Sequence, residues 1–130
     1  KEKIKKLQQE NFKINLVDSS NFIAKYTRDI DFAIVSNGRT VFEIASMQVP
    51  ILSVAVNDRE KSHTFVRDEK IGKHINYNPV SFTKELSFNI KHLLEYENRK
   101  IFRARLKKIE LLYGVERVID IIYDEFKLRT

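Results

Sequence analysis

Cysteine is absent from all 130 residues, and that absence rules out disulfides, thiolate metal sites and a cysteine nucleophile. It leaves the redox compartment unassigned. No apolar run approaches the ~18–20 residues that a membrane span requires, and no signal-peptide pattern occurs. The expected location is therefore the cytoplasm, including the inner surface of its membrane. The first residue is Lys1 rather than Met, as in a chain cut from something longer. The few breakers, Gly38, Pro50, Gly72, Pro79 and Gly114, stand where periodic segments change. No Gly/Ser linker, low-complexity tract or internal repeat divides the sequence, so residues 1–130 are expected to form a single domain. A GxSxG elbow and a Walker A loop are both missing. His63, His74 and His92 show no i, i+4 pairing and no attendant carboxylates, so neither a metal nor a cofactor is expected. Aromatic and basic residues do not alternate as in a single-stranded nucleic-acid platform, and no nucleic-acid partner is expected.

What remains is ordinary for a globular domain, with 42% hydrophobic and 32% charged residues. A net charge of +6 suits an anionic partner such as a nucleotide diphosphate. The alternative is that the cations only solvate the helices. They are densest in the Lys-rich opening and from Arg99 to Lys108.

Periodicity divides the chain into alternating elements. Ile4 and Leu7 mark a solvated helix over residues 1–10, and residues 13–17 alternate with the period of a strand. Asp18-Ser19-Ser20 is an N-cap cluster for a short helix carrying Phe22, Ile23 and Tyr26. The central stretch, Asp31 to Gly72, reads strand (32–35), polar turn, helix from Thr40 to Val49-Pro50, strand (51–56), polar loop, helix. His74 to Tyr77 forms a last strand, and three helices follow with apolar faces from Phe82, from about Asn98 and from Val115. The fold class is therefore α/β, a Rossmann-like parallel sheet of about four strands flanked by helices, with a helical C-terminal segment.

In such a unit the polar turns lie at the carboxyl ends of neighbouring strands, where open α/β sheets bind ligands. The first turn offers Ser36, Asn37, Gly38 and Thr40 to a phosphate: hydroxyl donors, close backbone approach and a helix start, with Arg39 as an added cation. Glu43, one turn along, suits the two hydroxyls of a ribose. Equally, Thr40-x-x-Glu43 is the pattern of a capping box. The second turn, Asn57-Asp58-Arg59-Glu60, suits a sugar, or else it is a solvated loop with Asp58 as N-cap. His63 is the one histidine near a polar turn and the only catalytic candidate.

Taken together, Asp31-x-Ala33-Ile34-x-x-x-Gly38-x-Thr40-x-x-Glu43, Val49-Pro50-Ile51, Asn57-Asp58-Arg59-Glu60, Gly72 and Gly114-Val115-Glu116-Arg117-Val118 resemble the C-terminal half of two-domain GT-B glycosyltransferases. The likeness is to the branch with the peptidoglycan lipid N-acetylglucosaminyltransferase and the UDP-sugar hydrolase of pseudaminic acid synthesis. That resemblance implies a UDP-sugar site, with Glu43 on the ribose, Gly38 and Thr40 beside the diphosphate, and Arg59 and Glu60 toward the sugar, next to Asp58 of the same polar cluster. It gives Arg39 little role, since the family often has a small or apolar residue there. Two strands and a Gly-rich loop that open the family's domain do not precede Lys1, and the family's N-terminal domain, which carries the acceptor site, is missing too. The resemblance thus implies a donor-side fragment, inactive alone, whose unpaired sheet edge invites a homodimer.

Overall fold

The computed structural model describes residues 2–10, 13–17 and 23–128. Three strands, β1 (Ala33–Ser36), β2 (Ile51–Ala55) and β3 (Gly72–Asn76), form a parallel sheet in the order β1-β2-β3. Ala33 is registered with Ile51, and Ile51 with Gly72. Before the sheet come α1 (Glu2–Gln9) and α2 (Ala24–Thr27). Helix α3 (Thr40–Ser46) joins β1 to β2, and α4 (Asp58–Lys61) and α5 (Phe65–Asp68) join β2 to β3. Helices α6 (Phe82–Leu94), α7 (Tyr96–Leu106) and α8 (Gly114–Lys127) complete the order.

β2 is buried along its whole length, as a near-continuous apolar run broken only by Ser53 requires in the middle strand of a covered parallel sheet. Ile51 joins Val41, Ile44 and Ala45 of α3 and Val66 of α5 on one face. Leu52 joins Ile75, Leu93 of α6 and Phe102 of α7 on the other. Each such side chain contributes about 1.5–3 kcal/mol of burial. Two matching closures return the chain to the sheet. After α3, Gln48 takes a left-handed φ of 59° and Val49 N–H bonds to Ile44 C=O; after α5, Lys70 takes φ 53° and Ile71 N–H bonds to Val66 C=O. In both, the orphan carbonyls of the last turn are satisfied and the next residue drops into the core.

The structure corrects three expectations. Residues 13–17 form no strand, so the sheet has three strands and not four. Only Ile14 of that run is even half-buried, and its carbonyl accepts from Gln8 Nε2 at 2.6 Å. Alternation supplies a strand pattern, but no sheet face is there to bury its apolar side. Second, the helix expected to run to Gly72 is two short helices, broken at His63 and Thr64. Third, α7 begins at Tyr96 and ends at Leu106 rather than spanning 98–112. Its Asn98 and Arg99 donate to the carbonyls of His92 (2.9 Å) and Leu93 (2.8 Å), closing the C-terminus of α6 at a sharp corner. The Asp18-Ser19-Ser20 cluster lies outside the described residues.

Several cations of the Arg99–Lys108 patch are committed to this scaffold. Arg103 donates to Ile30 C=O and Arg105 to Lys70 C=O, while Arg99 also pairs with Asp31 at 3.4 Å. His92 packs beside Phe102, with ring centroids 6.1 Å apart. Burial pushes its imidazole below the ordinary value of 6.5, the Lys73 ammonium acts in the same direction, and Glu95 opposes both. A histidine whose pKa falls on folding binds more protons unfolded than folded. Its contribution is therefore complete above the unfolded value and shrinks as pH falls through it. Urea unfolding at about pH 7.5 and about pH 5.5, on either side of the histidine range, should show a smaller acid-side loss for His92→Gln than for wild type. Equal losses would contradict this.

Candidate functional site

The carboxyl ends of β1 and β2 lead into two turns that one side chain ties together. Asn37, only 2% exposed, donates from Nδ2 to Glu60 C=O (2.7 Å) and to His63 C=O (2.8 Å), 23 and 26 residues further on. Its own N–H bonds to Val54 C=O at 3.0 Å, so the first turn is registered on the end of β2. Its carbonyl lies 2.8 Å from His63 Nδ1. A carbonyl can only accept, so this contact holds His63 with its hydrogen on Nδ1, which leaves Nε2 as the acceptor of the neutral ring. Asn37, expected to meet the ligand, has its amide committed to the protein and acts as a clip.

The second turn caps itself. Asn57 Oδ1 accepts from Glu60 N–H at 2.9 Å, and Glu60 Oε2 accepts from Val56 N–H at 2.9 Å. This reciprocal arrangement is the logic of a capping box, found at Asn57/Glu60 instead of Thr40/Glu43. Asn57, not Asp58, is therefore the N-cap of α4. Asp58 instead takes Lys61 Nζ at 2.9 Å, and that ammonium holds its carboxyl below the ordinary value. At α3 the residue before the helix is Arg39, with no side-chain cap. Among the described residues the side chains of Thr40 and Glu43 have no hydrogen-bond partner.

Between α3 and the α4–α5 segment lies a cleft of about 510 Å³, within the range of small-molecule sites. Its lining combines Arg39 and Arg59 with His63, the rings of Phe42 and Phe65, whose centroids lie 4.7 Å apart, and the carboxylates Asp68 and Glu69. A smaller hollow of about 210 Å³ adjoins it, lined by Gly38, Arg39, Asn57, Arg59, Glu60 and His63. Among the described residues neither the Arg39 nor the Arg59 guanidinium has an ion-pair or hydrogen-bond partner. Gly38 has no left-handed φ, and a Cβ there would meet nothing closer than Ser36 Oγ at 3.7 Å. The fold does not require glycine at this turn.

The structure thus brings together Gly38, Arg59, Glu60 and His63 of the sequence-derived set. Ser36 is adjacent, while Thr40, Glu43 and Asp58 line neither hollow. Glu43 lies on the exposed face of α3. Arg39, which the family pattern discounted, faces both hollows. Phe42 and Phe65 were masked by their apolar periodicity, which reads as core, although Phe42 is 47% exposed. Asp68 and Glu69 gave no signal of their own. Among the described residues, no group of three or more acidic or histidine side chains could hold a metal ion.

No family model, curated protein or solved structure matches this chain.

Proposed function

We propose that this chain is the nucleotide-sugar-binding, donor-side part of a glycosyltransferase or UDP-sugar hydrolase of cell-surface glycan or nonulosonic acid biosynthesis. On this reading it is half of a GT-B fold, works in the cytoplasm or at the inner membrane surface, and needs an N-terminal domain of the same enzyme for turnover. The observation that carries the reading is the cleft and adjoining hollow made where Asn37 clips two neighbouring strand-end turns, lined by two guanidinium groups that have no partner among the described residues. Diphosphate is the chemistry that such a pair recognises, bidentately and with strength that neutral donors lack. In the proposal Arg39 and Arg59 take the diphosphate beside Gly38, and Glu60 and His63 face the sugar end. Glu43 reaches the ribose only if the nucleoside lies over the start of α3, outside the cleft.

Saturation-transfer NMR with UDP and UDP-N-acetylhexosamines tests this. Arg39→Ala and Arg59→Ala should each weaken UDP by roughly tenfold or more, the worth of one charge-assisted hydrogen bond. Glu43→Ala should weaken UDP but leave pyrophosphate unchanged. A folded protein that gives no transfer at millimolar ligand would sink the reading. A docking or oligomerisation module derived from the same fold is the second reading, and the exposure of α8 favours it.

A further inference from the structure

Helix α7 carries a second hollow, of about 300 Å³, that shares no residue with the cleft at the strand ends. It is lined by Tyr96, Arg99, Lys100, Arg103, Ala104 and Lys107, which follow one helix face in steps of three and four. Among the described residues no carboxylate lines it. Ala104 is the small residue of the set, and the long cationic side chains stand around it. Two guanidinium groups are anchored to the scaffold. Arg99 donates to the Leu93 and Leu94 carbonyls and pairs with Asp31, and Arg103 donates to Ile30 C=O at 3.3 Å. That one contact leaves the other N–H groups of Arg103 to give. Lys100 has only a long, exposed contact with Glu97 at 3.8 Å, of little worth in water. Among the described residues the Lys107 ammonium has no partner.

We propose that this hollow binds a phosphomonoester, held by Lys100, Arg103 and Lys107. Helix electrostatics alone do not explain the cluster. The dipole favours a cation such as Lys107 at the C-terminal end of α7 but disfavours Lys100 near its start. Arginine and lysine side chains only donate, so a rim built from them is complementary to a group that only accepts. A phosphomonoester presents three free oxygens, enough for the Arg103 fork and both ammonium groups together, whereas a carboxylate presents two. The Tyr96 hydroxyl is a further donor in the same lining. Because Arg103 is already fixed by Ile30, less side-chain freedom is lost when the ligand arrives. A soluble phosphate ester and a phospholipid headgroup offer this same chemistry. The site is independent of the function proposed above.

Amide spectra of the whole chain, titrated with glycerol 3-phosphate at an ionic strength held constant with chloride, are the test. Shifts should fall on Tyr96, Lys100, Arg103, Ala104 and Lys107. Lys107→Gln removes a cation that holds no part of the scaffold and should weaken the ligand by roughly tenfold or more. Lys5→Gln on α1 lowers the net charge equally and should leave the affinity unchanged. Ala104→Glu, at an exposed position where a helix accepts Glu, puts a carboxylate into the hollow and should abolish the shifts. Cosedimentation with phosphatidylcholine vesicles, with and without phosphatidic acid, identifies the carrier. Retention on the phosphatidic acid vesicles that Ale104→Glu removes would assign the group to a lipid headgroup; shifts without retention would assign it to a soluble ester. Shifts that chloride reproduces, or that Lys107→Gln weakens no more than Lys5→Gln, overturn the inference. So does a chain that shows neither shifts nor retention.

Discussion

Gly72→Ala should leave little or no folded protein, although it adds a single methyl group. Gly72 opens β3 directly beside Ile51 of β2. A Cβ built there would lie 2.0 Å from the Ile51 carbonyl oxygen and 2.8 Å from its carbonyl carbon. Both are backbone atoms of the central buried strand, so no rotamer change relieves the clash. Relief requires β3 to move off β2, and that pairing aligns Ile75 and Ile71 with the two cores. The expected cost is about 4 kcal/mol or more, in the range reserved for gross steric conflict. It would consume much of the ~5–15 kcal/mol that holds a domain of this size. Thermal unfolding followed by circular dichroism should show Tm falling by roughly 15 °C, or no cooperative transition at all. A variant that melts within a few degrees of wild type would show that the β2–β3 approach is looser than described.

Asn37→Asp should be nearly as damaging, and its pH dependence identifies the cause. The Asn37 amide gives two hydrogens to two carbonyls from inside the protein. His63 C=O has no other donor among the described residues, whereas Glu60 C=O also accepts from His63 N–H. Asn37→Ala therefore strands one half-buried acceptor and loosens another, a loss of about 1–3 kcal/mol. A carboxylate at the same place would offer two lone-pair oxygens to two carbonyl oxygens, which is worse than a gap. The acid form, with one O–H to give, is the tolerable one. Its folded-state pKa would rise above the unfolded ~3.9. The variant should accordingly regain stability relative to Asn37→Ala as pH falls toward that value. Denaturation at neutral and acid pH checks the crossover; parallel curves for the two variants would rule out the clip.

The sequence displayed the strand–turn–helix order around Asp31–Gly72 because hydrophobic period and breakers agree there. The same cues failed at Lys13–Val17, whose alternation is indistinguishable from that of a strand until the neighbouring sheet is known. At the candidate site, residue types pointed to the two turns that border the cleft but not to the hydrogen bonds within them. Asn37 and Glu60 carry the polar groups expected of ligand contacts, yet spend them on Glu60 C=O, His63 C=O and Val56 N–H. These are contacts 23 and 26 residues apart in the case of Asn37, and no local rule anticipates them. Arg39 and Phe42 line the cleft although no sequence cue put them there: one departs from a family habit, and the other matches a core period.

An amide-resolved titration with UDP, read by ¹H–¹⁵N correlation spectra, tests the central claim most directly. If the clipped turns of β1 and β2 are the diphosphate seat, the largest shifts will fall on Gly38, Arg39, Arg59 and His63 and will weaken together in Arg39→Ala. Shifts confined to the basic groove of α7, around Tyr96, Lys100 and Lys107, would mean that charge alone attracts the nucleotide and would contradict a site at the strand ends.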